Sequence, residues 1–285
     1  MKPTLEESSR LDFVLMLRRR WADTLYPAVR EQAIADGYDA DIRAAAHRQP
    51  AYPWFAFLER TSQKMLWRAV AETVDSHPPS THGSSVGPAR LTLDPELNLP
   101  DWYTKWDIHL QPGGIWRSDF SADVYELGAK LVMLGDNDDY TFHRVFTETA
   151  IPKRSYRRIV DLGCGFGKST WPLKHRFPDA EVAGIDLAAP CLRLAHDRAN
   201  TAELEIDFIQ ANCQSTGLPD NSVDLVTSTM LIHELPRKVL VATLEECVRI
   251  LAPGGLLRFL DFTRTGDAFR DLAMMEHGER NNEPF

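Results

Sequence analysis

Asp161-Leu-Gly-Cys-Gly-Phe-Gly167 closes a short apolar run, Arg158-Ile-Val160, and leads into Lys168-Ser-Thr170 and a stretch with helical character. Glycines at 163, 165 and 167 let a chain turn tightly after a strand and bring its backbone close to a ligand. Pro172 falls early in the following stretch, where a missing N–H costs a helix little. Three spaced glycines also make an ordinary tight turn, so the ligand must be read from spacing and from the downstream residues. A phosphate loop ending in Gly-Lys-Ser needs a glycine five positions before its last glycine, and Leu162 stands there. The dinucleotide fingerprint needs a glycine at the sixth position from Gly163, which is Lys168.

Downstream, short apolar runs alternate with helical stretches. The spacing predicts strands over 158–161, 181–186, 206–210, 223–229 and 256–261. Helices are expected over 168–177, 188–200 and 236–251, with a short one over 212–217. Alternation of this kind argues a parallel sheet with helices on both faces. Such sheets bind ligands beyond the carboxyl ends of their strands, at the switch point. The second run ends in Asp186, where a carboxylate accepts from ribose hydroxyls in dinucleotide folds. An aspartate there also suits a helix N-cap.

Asp-x-Gly-x-Gly-x-Gly, then Val182-Ala-Gly-Ile-Asp186, then Asn212-Cys213, resembles motifs of the class I S-adenosylmethionine (SAM) dependent methyltransferases. Asp224-Leu-Val-Thr-Ser-Thr229, followed by Met-Leu-Ile-His233, and Arg249-Ile-Leu-Ala-Pro-Gly-Gly-Leu256 extend the match. The resemblance covers roughly residues 156 to 262. It implies a Rossmann-like α/β fold with a mostly parallel sheet, SAM as cofactor, and methyl transfer to O, N or C of a small molecule. A non-catalytic SAM-fold partner of a complete methyltransferase is the alternative. By position, Asp161 would serve the amino end of SAM, and Gly163, Cys164, Gly165 and Gly167 would pass beneath it. Asp186 would take the ribose, with Leu187 near the adenine. Asn212, where the family commonly has an aspartate, and Cys213 would meet the adenine edge, and Ser228 would close the site. An Asn amide oxygen accepts the same bond without the charge.

His109, His143 and His233 are candidate bases, His233 foremost, although a structural role fits each. A sulfonium methyl is already activated, so alignment of the acceptor supplies much of the rate without a base. Trp102, Trp106, Trp116 and Tyr125 would line an apolar chamber or fill a core.

The expected organisation is a helical region over 1–101, a cover over 102–150 and a SAM-binding domain over 151–285. Apolar residues recur at helical spacing over 10–35, 54–74 and 119–134, and five prolines make 75–101 a loop or linker. A net charge of −9 disfavours nucleic acid as partner. No run is long enough for a membrane helix. Cys164, Cys191, Cys213 and Cys247 fit no zinc pattern, so no metal is assigned, and scattered thiols read as cytoplasmic.

A complete domain of this type carries two further strands after the fifth, and the polar residues after Asp261 show no strand pattern. The last two strands are therefore expected to be missing, leaving an exposed edge. A shortened gene product is the favoured explanation. Strands supplied by a partner chain or a homo-oligomer, and cover by the N-terminal region, are the others.

Overall fold

Buried on both faces, a parallel strand reads as an unbroken apolar run, and Arg158–Leu162 is such a strand, its last four residues all buried. A computed structural model describes residues 3–37, 41–134, 137 and 139–283. Residues 1–2, 38–40, 135–136, 138 and 284–285, which fall within the three expected regions, lie outside it.

In chain order the elements are α1 (Leu5–Arg20), α2 (Tyr26–Ala35), α3 (Ile42–His47), α4 (Tyr52–Asp75), β1 (Arg90–Thr92), α5 (Asp101–Thr104), α6 (Asp119–Leu131) and α7 (Thr141–Ala150). There follow β2 (Arg158–Leu162), α8 (Thr170–Arg176), β3 (Glu181–Asp186), α9 (Ala189–Thr201), β4 (Asp207–Gln210), β5 (Val223–Thr229), α10 (Arg237–Ile250), β6 (Leu251–Leu260) and α11 (Ala268–Arg280). The sheet runs β1-β4-β3-β2-β5-β6, and every pairing is parallel. The fold is the expected Rossmann-like α/β architecture with a helical N-terminal region. From β2 the chain winds outward through β3 and β4 on one side and through β5 and β6 on the other. The switch point therefore lies where the loops after β2 and β5 meet.

Four local readings change. The segment 75–101, read as loop or linker, contains β1. Three residues among prolines carry no strand signal, and the strand exists because α9 holds it. Asn200 Oδ1 accepts the Ala89 N–H at 2.8 Å, and Asp197 accepts the N–H groups of Gly83 (2.8 Å) and Ser85 (3.1 Å). No helix forms over 212–217; the chain turns there, with a bridge between Asn212 and Ser215. α7 is an addition, since its first turn follows Tyr140 in a left-handed conformation without a side-chain cap. The Pro253-Gly-Gly255 turn lies within β6, as a register shift against β5.

The helical layer packs as one core. Leu11 and Val14 of α1 meet Leu66, Trp67 and Val70 of α4 and Val124 of α6. Gly128 of α6 lets the Trp67 ring approach so closely that a Cβ at 128 would sit 2.1 Å from it. The other face of α6 buries Ala122 and Ala129 against Phe166 and Cys191 of the sheet domain.

Beyond β6 the chain forms α11, not a strand. Phe269 and Leu272 pack with Val29, Ala33 and Phe55 of the N-terminal helices. Glu59 of α4, 5% exposed, is gripped by His277, Arg280 and Asn281. Among the described residues no strand pairs with the outer edge of β6.

Candidate functional site

The loops after β2, β3 and β5 open into one cavity beyond the carboxyl ends of the strands. Gly163, Gly165, Asp186, Leu187 and Cys213 line it, as do Lys168 and Glu234. From the preceding segment, Trp102, Tyr103, Ile108, Ile115 and Tyr125 close over it.

Gly163 and Gly165 have φ of +68° and +52°, conformations that cost a residue with a side chain. The loop is clamped to β3. Both Gly163 N–H and Cys164 N–H donate to the Ile185 carbonyl, at 2.8 and 3.1 Å. Asp186 Oδ2 accepts the Gly165 N–H at 2.8 Å and Oδ1 the Ala188 N–H at 2.8 Å. Each of its oxygens keeps a lone pair for a ligand hydroxyl. Burial pushes this carboxyl up, against the backbone N–H groups that pull it down.

The two acids of the glycine loop and second strand take different positions. Asp161 is fully buried and does not line the cavity. Ser169 and Thr170 hydroxyls donate to its Oδ2 at 2.6 and 2.7 Å, and Thr227 to Oδ1 at 3.0 Å. Burial raises it to about 6, against those three bonds. Its place is beneath the loop, fixing β2, β5 and the start of α8. Ser228 donates to the Leu162 carbonyl at 2.8 Å and is likewise buried between strands. Cys164 packs against Gly184, and Gly167 against Trp171. Asn212 Oδ1 accepts the Gln214 N–H at 3.0 Å, shaping the turn that carries Cys213. The structure thus places Gly163, Gly165, Asp186, Leu187 and Cys213 on the wall; Asp161, Cys164, Gly167 and Ser228 are buried away from the lining, and half-buried Asn212 stands outside it.

Of the histidines, His143 is buried in α7 and pushed down to about 3 by burial and by Lys168. His233 sits in a 3₁₀ turn, Ile232–Glu234, with Nδ1 2.7 Å from Asp261 Oδ1. Burial lowers its basicity, but the bond to Asp261 and the charge of Glu234 raise it above the ordinary value. Glu234, the next residue, is the one that lines the cavity. His109 bridges Glu234 (2.8 Å) and Glu283 (2.7 Å), and those carboxylates outweigh burial to raise it to about 10.

Lys168 and Glu234 are wall residues that the motifs alone do not point to. Lys168 follows the glycine loop directly, the one signal that it faces the site. Its Nζ donates to the Tyr125 hydroxyl at 2.9 Å, and burial draws it down to about 8. The Tyr103 hydroxyl is buried with no hydrogen-bond partner among the described residues, and its side chain lines the cavity. An orphaned buried hydroxyl, a paired carboxylate with spare acceptor capacity and an apolar roof together fit a ligand with both polar and flat apolar parts.

The family model described as a methyltransferase domain matches residues 159–255, the strands and loops that build this cavity. Residues 159–255 are a class I SAM-dependent methyltransferase domain. Its cofactor is S-adenosyl-L-methionine, and the chemistry of the wall residues fits it. The chain is similar to a demethylmenaquinone methyltransferase of Thermus thermophilus, 35% identical over half of this chain and 62% of the relative. It is similar to a trans-aconitate 2-methyltransferase of Methylobacterium radiotolerans, 36% identical over 38% of either chain. A solved structure of a putative SAM-dependent methyltransferase from Methanococcus maripaludis overlaps 58% of this chain and 73% of its own, at 19% identity and a TM-score of 0.44. The chain spans less than two thirds of the length of these two curated relatives. The methyltransferase domain has four buried free cysteines. Among the described residues no helix is long and apolar enough to cross a membrane.

Proposed function

We propose that this chain transfers the methyl group of SAM to an oxygen, nitrogen or carbon atom of a small-molecule acceptor. The observation that carries the reading is the Asp186 carboxylate, held by two backbone N–H groups on the wall of a cavity at the switch point. In this reading Asp186 accepts both ribose hydroxyls, and Leu187 and Cys213 flank the adenine. The Lys168 ammonium, steadied by Tyr125, meets the carboxylate of the methionine end. Asp161 acts through the loop it fixes. When bound, SAM supplies an electrophilic methyl on a sulfonium. The chain's task is then alignment and exclusion of water, which Trp102, Tyr103, Ile115 and Tyr125 perform as a roof. His233, held by Asp261 with its basicity raised against burial, acts as a positioning and electrostatic group beside Glu234.

Calorimetry with SAM tests the reading. One site per chain is expected, and Asp186→Ala should weaken binding by about 1.5–3 kcal/mol, as for loss of charged hydrogen bonds. Well-folded protein that binds no SAM would sink it. The unpaired edge of β6 favours a second, compatible reading, in which a partner chain or a second copy adds strands there, and the chain acts as a binding partner in that assembly. The acidic net charge of −9 supports a small molecule over nucleic acid as acceptor, and the four buried thiols suit the cytoplasm.

A further inference from the structure

We propose that His109, His233 and Glu234 bind one divalent transition-metal ion in the wall of the cavity. Their candidate ligand atoms all lie within 4.8 Å of one another. His109 Nε2 is 2.8 Å and His233 Nε2 3.9 Å from the same Glu234 oxygen. Ligands about 2.1 Å from a tetrahedral zinc stand roughly 3.4 Å apart, so small rotations of the side chains admit the ion.

The outer contacts argue more strongly than the distances. A metal-ligating imidazole characteristically gives its other ring N–H to a carboxylate, which fixes the tautomer and aims the ligating nitrogen. Both histidines have that arrangement. His233 Nδ1 faces Asp261 at 2.7 Å, and His109 Nδ1 faces Glu283 at 2.7 Å. With Nδ1 donating to its carboxylate, each ring would offer Nε2 to the ion, which for His109 displaces the Nε2 proton now shared with Glu234. Asp261 is itself held by the N–H groups of Ile232 (2.6 Å) and Phe262 (2.7 Å), and the Glu283 side chain is 2% exposed.

Backbone conformation points the same way, and the charge of the cluster admits the ion. His109 and Leu110 both have positive φ, 56° and 63°, a conformation that side-chain-bearing residues adopt at a cost and that gathers at functional sites. Three carboxylates, from Glu234, Asp261 and Glu283, surround two imidazoles. A dication with two neutral imidazoles offsets them as fully as two imidazolium ions would. Three protein ligands leave one position open, the pattern of a reactive metal rather than a structural one. Nitrogen and oxygen donors suit zinc, cobalt or iron in the divalent state.

The site stands on its own residues, independent of what the cavity binds. The test uses the full chain, stripped with a chelator and dialysed against Zn²⁺ or Co²⁺. One ion per chain is expected by mass spectrometry of the metal, with visible absorption bands of four- or five-coordinate Co²⁺. Glu234→Gln and His233→Ala should each lower metal affinity at least about tenfold, and Asp261→Asn by about 10–100-fold. Circular dichroism melts establish that each variant folds. If His233→Ala does not, the near-isosteric Glu234→Gln and the Co²⁺ bands of the wild type still decide. Binding well below one ion per chain, or binding that Glu234→Gln leaves intact, overturns the site: the cluster is then an imidazolium bridging carboxylates. SAM calorimetry on the stripped protein reports separately. SAM binding without metal binding removes only the metal, and metal binding without SAM binding removes only the cofactor reading.

Discussion

Burial holds Lys168 at about 8, below its ordinary 10.5, because its ammonium sits among Tyr125, Phe166 and the glycine loop. The free protein therefore loses this cation as pH rises through about 8. If the ammonium meets the carboxylate of the cofactor, SAM affinity falls over the same range, by up to about tenfold per pH unit for one linked proton. Calorimetry from pH 7 to 9.5 should show that decline, and Lys168→Met should bind more weakly at pH 7 and lose the dependence. The sign for folding is opposite. The unfolded chain keeps this proton up to 10.5, so between about 8 and 10.5 it binds more protons than the native state, and stability rises with pH. Asp161 and Asp186 are both legible in the sequence as acids ending strands. What sequence does not carry is their division of labour. That depends on Ser169, Thr170 and Thr227 hydroxyls converging on Asp161, which only the sheet register brings together.

At the scale of elements, β2 to β6 are readable because parallel strands buried on both faces are nearly continuous apolar runs. β1 is not, because its three residues owe their pairing to Asn200 and Asp197, more than a hundred positions away. The cavity roof is legible as an aromatic-rich stretch, but the choice among its members is not. Trp102 and Tyr125 line the cavity, Trp116 packs into the core beside α6, and Trp106 is 54% exposed. Gly128 makes the packing of α4 on α6 testable. In an exposed helix Gly→Ala gains up to about 1 kcal/mol. Here a Cβ would overlap the Trp67 ring at 2.1 Å, and overpacking costs about 1–3 kcal/mol. Gly128→Ala should therefore lower the melting temperature by several degrees; an unchanged or raised value would show that the helices part easily.

For the molecule as a whole, the unpaired edge of β6 is the feature with the widest reach. An unprotected parallel edge is a template for another strand. Apolar side chains accompany it: Val248 (71% exposed) and Val241 (49%) on the helix leading into β6, and Phe262 (50%) just after it. We expect light scattering to give a mass of about twice the 32.3 kDa chain, and Val248→Glu combined with Phe262→Lys to return it to the monomer. A wild-type monomer at high concentration would leave the edge to a different chain. The polar residues after Asp261 carry no strand pattern, and the described chain there forms α11, whose docking the sequence does not show. That depends on Glu59 meeting Arg280 and His277, separations of about 220 residues.

Those separations set an order of events during synthesis. The helical layer leaves the ribosome before the sheet domain, yet Glu59 gains His277, Arg280 and Asn281 only after roughly 220 further residues have emerged. Until then a carboxylate destined for the interior has only water to hold it, and Phe55 lacks Phe269. Contacts this distant in sequence close late and slowly. The nascent N-terminal third should therefore recruit chaperones longer than its own length would demand.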